Sequence, residues 1–220
     1  MRYFMGICAF AATLIAQTTP GTVQATGNAN LSVKPDQATL DVSIITQATT
    51  AQQAADQNAA QATTVINALK QALGVSGSVQ TVSYNVYPRY SNAAGQQDVV
   101  VGYTASNTVR VTTNDLTRVG TLIDTANQAG ASSVGSLSFG LQDQEPYKLQ
   151  ALSAAAKQAL THAAAIATGL GDKTGSVVSA QEGVGVSPVV TGVASASSTP
   201  IQTGTVTVSA TVTITVQLLQ

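Results

Sequence analysis

The stretch that decides the fold is Thr205-Val206-Thr207-Val208-Ser209-Ala210-Thr211-Val212-Thr213-Ile214-Thr215-Val216-Gln217-Leu218. Val206, Val208, Ala210, Val212, Ile214, Val216 and Leu218 fall on one side of an extended chain, and the hydroxyl residues and Gln217 on the other. Side chains alternate across a strand, so this pattern means a long strand with one buried face and one wetted face. Such a strand needs an antiparallel neighbour and an apolar cover. The cover lies upstream. From about Glu145 to Thr168, Leu152, Ala155, Ala156, Ala159, Ala163 and Ile166 recur at helical spacing and mark an inner face. Alanine is the best helix former and leaves little bulk, so this helix can lie close to a sheet.

The same two periods sort the rest of the chain. Val23 to Leu31 and Ala38 to Thr46 read as strands, broken by Lys34-Pro35-Asp36 because proline cannot continue a ladder. Thr50 and Gln53 have the spacing of a capping box. Behind them Ala55, Ala59, Ala62, Ile66, Leu69 and Leu73 form a stripe, and Gly74 is a natural stop, giving a helix over about 50–73. Val82, Tyr84 and Val86 alternate up to Pro88. After the connection Ser91–Gln97, Val99, Val101, Tyr103, Ala105, Asn107, Val109 and Val111 share a face expected to be buried. Asn114 caps a second helix carrying Val119, Leu122, Ile123 and Ala126, closed by Gly130. A strand follows over about 132–141, then the Ala-rich helix, then a strand around Val177, Val178 and Ala180. Gly183 to Gly204 has no charge and no clear period, and reads as a long loop near 183–204. The order is therefore ββαββαβαββ. It is an α+β fold with a mainly antiparallel sheet and three helices, not an outer-membrane barrel.

Composition narrows the function classes. Of 220 residues, 9% are charged, against about 25% in an ordinary soluble domain. Hydrophobic residues make up 44%, enough for a packed core. The nine Lys and Arg residues give no basic footprint, which argues against nucleic acid as a partner. One Cys and one His exclude disulfide scaffolds and His/Cys metal clusters. Met1 and Arg2 precede an uncharged, largely apolar run from Tyr3 to Ala16, which reads as a signal peptide over 1–16. Cleavage is expected near Ala16, with Val23-Gln24-Ala25 as the other site, leaving a single domain over 17–220. Cys8 lies inside the removed segment, so the exported chain would carry no thiol. No later run is long and apolar enough for a transmembrane helix. Scarcity of carboxylates implies little stability lost in mild acid.

Several segments together resemble the SIMPL-domain family of exported bacterial proteins. They are Thr26-Gly27-Asn28-Ala29-Asn30 leading to Lys34-Pro35-Asp36-Gln37-Ala38, the helix end Leu69-Lys70-Gln71-Ala72-Leu73-Gly74, Gln80-Thr81-Val82-Ser83 to Pro88-Arg89-Tyr90, Val101-Gly102-Tyr103-Thr104-Ala105-Ser106-Asn107, Asp124 to Gly130, and Ser138-Phe139. The resemblance covers about Val23 to Leu218. It implies a periplasmic or secreted envelope protein, linked with antigens and oxidative-stress protection, in a family with ring-like or channel-like oligomers. It carries over no catalytic residue. Where relatives usually have an acid and a base four apart on the third helix, this chain has Gln158 and His162.

Few residues could carry chemistry. His162 lacks an evident nucleophile or orienting group. Asp143 and Glu145 could serve as paired carboxylates or bind calcium, but acids at a helix start also favour its N-terminus. Gly169-Leu170-Gly171-Asp172-Lys173-Thr174-Gly175 follows a helix instead of opening one, unlike a phosphate loop. No catalytic, cofactor or metal site is therefore expected. Tyr84, Tyr87, Tyr90 and Tyr103 cluster on one hairpin with Arg89. Tyr84 and Tyr103 sit in the apolar phase and are expected in the core. Tyr87, Arg89 and Tyr90 near the tip are the candidate interface, since Tyr and Arg are common anchors. The leading expectation is a non-enzymatic envelope protein acting by self-association as a homo-oligomer. The alternatives are a module binding a small apolar ligand or envelope polymer, with 183–204 as lid, and a hydrolase using Asp143, Glu145 or His162.

Overall fold

A computed structural model of the chain describes residues 21–75, 77–91, 99–189 and 201–220. The expected signal segment, 1–16, lies outside the described residues. In chain order the elements are β1 (Thr22–Val33), β2 (Gln37–Ala48), α1 (Ala51–Leu73), β3 (Gly77–Ser91), β4 (Val99–Thr113), a 3-10 turn (Leu116–Arg118), α2 (Val119–Gln128), β5 (Ser133–Gly140), α3 (Glu145–Leu170), β6 (Lys173–Val189) and β7 (Thr205–Leu219). The expected order and the α+β class both hold.

The strands divide into two antiparallel sheets, ordered β1-β7-β6 and β3-β4-β2-β5. Lys34-Pro35-Asp36 carries the chain from one to the other. Asp36 ties that crossing down: its N–H donates to Gly140 O at 3.1 Å, and its carboxylate accepts from Gln142 N–H at 2.7 Å. β7 is the central strand of the first sheet, and its apolar row, Val206 through Val216, is buried.

α3 lies across β1 and β7 on a stripe of Ala151, Ala155, Ala159, Ala163 and Ala167, all buried. Its backbone comes so close to β1 that a Cβ added at Gly27 would sit 2.1 Å from Ala155 O and 2.4 Å from Ala159 N. Ile166, expected on the inner face, is 42% exposed, because a strict four-residue alanine stripe turns it outward.

The second sheet packs Leu40, Val42 and Ile44 of β2 and Val109 and Val111 of β4 against α1 and α2. Thr50 caps α1, accepting from Gln53 N–H at 3.2 Å, while the Gln53 side chain accepts from the Thr49 hydroxyl at 3.0 Å. The start of the α1 stripe differs from expectation: Ala54 and Asn58 are buried and Ala59 is exposed. In an Ala-rich helix the apolar phase is weak, and Asn58 turns inward to donate to Ile44 O at 2.9 Å and Ala105 O at 3.1 Å.

Two further expectations are corrected. Gly183 to Val189 is not loop: β6 continues through Val189, with Gly183 paired to Thr211 and Val189 to Thr205. Its alternation is faint because β6 is largely exposed on both faces: Val184 and Val186 share the α3 side, but Glu182 breaks that row and the opposite face holds Gly183, Gly185 and Ser187. Residues 190–200 of the expected loop lie outside the described residues. The shared face of β4 is buried at Ala105, Val109 and Val111 but open at Val99 and Val101.

Candidate interaction surface

One rule of size explains which strands are bare. A helix with its side chains is about 10–12 Å across, and strands are spaced by about 4.8 Å. One helix therefore covers two strands. α3 covers β1 and β7 and contacts β6 only weakly. α1 reaches β2, β4 and the start of β3, where Val79 joins its core, while α2 fills the β5 side. Along the rest of β3, and on β6, apolar side chains are left uncovered.

On β3 the consequence is an exposed arm. β2 ends at Ala48, opposite Tyr103, so among the described residues 89–91 of β3 and 99–102 of β4 continue as a short two-stranded ribbon, while Tyr84 and Tyr87 lie before it, opposite β4 residues that β2 also pairs. Tyr84, Tyr87 and Tyr90 are 50%, 48% and 52% exposed. Val82, Val86 and Val99 to Val101 are exposed beside them. Tyr84 is therefore not the core residue its phase indicated, and Tyr103 is only partly buried. Tyr84 pairs with Asn107 and faces the helix side, yet stays half-exposed, five residues on from Val79, which packs on the α1 core. Arg89 pairs with Gly102, and its Nη1 donates to Gln47 Oε1 near the end of β2. That bond fixes the guanidinium at the base of the ribbon while leaving other N–H donors available.

On β6 the consequence is a groove. Leu152, Ser153 and Ala156 of α3, Ala180, Gln181 and Glu182 of β6, and Val212 of β7 line an open trough of about 460 Å³. It lies next to Gly183, where the expected 183–204 lid begins; residues 190–200 of that segment lie outside the described residues. Neither the groove nor Glu182 stood out in the sequence, because alanines and one acid in an irregular stretch give no periodic signal.

The candidate chemical residues do not converge. His162 Nδ1 lies 2.8 Å from Thr26 O, so Nδ1 carries the proton and donates to that carbonyl. Gln158 Oε1 accepts from Asn28 N–H at 2.5 Å. Together these side chains reach from α3 and satisfy backbone groups of the edge strand β1. Asp143 accepts from Glu145 N–H at 3.0 Å, at the start of α3. At about 1.5 Å of rise per residue, His162 stands roughly 25 Å along the helix from Glu145. Gly171 ends α3 in the left-handed conformation, and Asp172 N–H closes the turn on Ala167 O at 2.9 Å, so the segment around it is a helix terminus. Among the described residues no group of three or more His, Cys, Asp or Glu is placed to hold a metal ion.

Two antiparallel sheets, each backed on one side by helix, with a two-stranded arm projecting from the second, define the class: an α+β protein with bare edge strands. The chain belongs to the SIMPL family, described as "Protein of unknown function (DUF541)", whose model matches residues 23–216. It is 29% identical over 162 residues to the 26 kDa periplasmic immunogenic protein of Brucella melitensis, covering 72% of this chain and 63% of that one. It is 31% identical over 156 residues to the uncharacterized protein YggE of Escherichia coli K12, covering 70% and 62%. A YggE protein of Edwardsiella ictaluri is 27% identical over 177 residues, covering 80% and 74%. The chain thus spans somewhat under two thirds of the length of the first two relatives. Periplasmic naming among relatives agrees with the expected periplasmic or secreted location. No helix among the described residues is long and apolar enough to cross a membrane.

Proposed function

We propose that this periplasmic or secreted protein is a non-enzymatic component of the cell envelope that works through self-association, with the β3–β4 arm supplying the contact. The observation that carries this is the set of half-exposed Tyr and Val side chains along β3 and the start of β4, on both faces, ending in the short ribbon that runs past β2. Contiguous exposed apolar surface on a soluble protein marks an interaction site, and tyrosine and arginine are frequent anchors of such sites. Tyr87, Arg89 and Tyr90 are the residues assigned to the contact. A two-stranded ribbon is only marginally stable alone, so docking against another surface also supports the arm itself.

The test is the Y87A/R89A double variant, followed by sedimentation velocity and far-UV circular dichroism. The expected outcome is a native spectrum with a lower mass in solution. An unchanged assembly with intact folding, or a wild-type protein that stays monomeric at high concentration, would overturn the proposal.

A further inference from the structure

β3 and β6 are outer strands with exposed apolar side chains, and they carry complementary features. β3 exposes Tyr84, Val86, Tyr87 and Tyr90, and its one charged residue is Arg89. The groove beside β6 is floored by Val212 and walled by Leu152 and Ala156, and its one charged residue is Glu182. Glu182 is out of phase with its surroundings. It pairs with Val212 in the row facing α3, where its neighbours Ala180, Val184 and Val186 are all apolar. Among the described residues the ion pairs are Asp41–Arg110 and Asp115–Arg118, and neither uses Glu182 or Arg89. One surface is thus an exposed, largely apolar outer strand with a single cation. The other is an apolar trough with a single anion outside the ion pairs above. Among the described residues β3 pairs only with β4 and β6 only with β7, so each presents a backbone edge.

We propose that the β3–β4 arm of one copy seats on the α3–β6 groove of a second copy, with Arg89 facing Glu182. The proposal rests on the self-association reading and names the partner surface for it. Tyr87, on the same face of β3 as Arg89, fills the trough, and the guanidinium donates to the carboxylate in a site partly shielded from water, where a charged hydrogen bond is stronger than on an open surface. Because arm and groove are different surfaces, each copy still offers one of each, and the contact is heterologous.

Charge reversal tests it. R89E and E182R are made singly and together, with E182Q as a milder variant, and association is followed by sedimentation velocity alongside circular dichroism. Each single reversal is expected to weaken association by about tenfold or more, and the R89E/E182R double variant to recover most of it, because the pair is restored with its signs exchanged. Native spectra with no recovery in the double variant would overturn the pairing. If E182R and E182Q leave association unchanged while Y87A/R89A abolishes it, the groove assignment falls and the arm contact stands. A strictly monomeric wild type removes both. An E182V variant that aggregates without limit, beside an E182R variant that assembles normally, would make Glu182 only a guard on an open edge and would also overturn the pairing.

Discussion

Single side chains decide how α3 and β1 fit together. Gly27 is the point of closest approach, where any Cβ would press on the backbone at Ala155 and Ala159. Backbone cannot yield as a flexible side chain can, so G27A should destabilise the protein toward the upper end of the about 1–3 kcal/mol typical of overpacking. Urea unfolding followed by circular dichroism measures it. A midpoint equal to the wild type would mean that the helix does not rest on the strand. Gln158 and His162 act one step further out, on the open side of β1. Alanine at either position strips a partner from a backbone group and should cost about 1 kcal/mol each. The Q158A/H162A double variant should also be more prone to aggregate at high concentration, since the β1 edge is then free to pair with another chain. Turbidity on heating reads that effect, and no change beside wild type would deny the capping role.

Elements whose period is imposed by a two-sided environment were legible from sequence, and those without one were not. β7 lies between two strands with a helix on one face, so its alternation runs unbroken. α3 was readable as an alanine-rich helix, although which alanines face inward was clear only from the sheet beneath it. α1 shows the limit. Its early turns hold alanines on several faces, and the buried choice falls on Asn58, whose two carbonyl partners come from β2 and β4. No local pattern announces bonds that depend on tertiary pairing. β6 fails for the opposite reason, because an edge strand open on both faces can be built from Gly, Ser and Val in any order. The arm was half legible: its tyrosines were visible, but their exposure depends on where β2 stops and how far α1 reaches. A measurable consequence follows for the arm as an element. In the unassociated protein, backbone amides of Arg89 to Ser91 should exchange with solvent far faster than those of Leu40 to Ile44, which lie under a helix and between two strands. Hydrogen exchange at low concentration tests this, and equal protection would mean that the ribbon is held by contacts within one copy.

At the scale of the whole molecule, the scarcity of charge sets the response to acid. Ten acidic residues in 220 leave few groups through which protons can couple to folding. Among the described residues two carboxylates are held below their ordinary value. Asp41 is lowered chiefly by hydrogen bonds from Arg110, whose Nε and Nη2 donate at 2.8 and 2.9 Å, with partial burial pushing the other way. Asp115 is lowered chiefly by the Thr117 hydroxyl, which donates at 2.6 Å. A carboxylate with a lowered value in the folded protein takes up its proton first in the unfolded chain. Its contribution to stability is therefore complete above the ordinary value of 3.8 and is lost as pH falls below it. The melting temperature should stay nearly flat from neutral pH to about pH 5 and drop only below about pH 4. The D41N variant separates the pair from the rest. It should melt lower than the wild type at neutral pH, because Arg110 loses its ionised partner, and should lose less on going from pH 5 to pH 3. Parallel pH profiles for D41N and wild type would show that the Asp41–Arg110 pair does not couple folding to protons. A steep fall already between neutral pH and pH 5 would place the coupling on a group other than these two carboxylates.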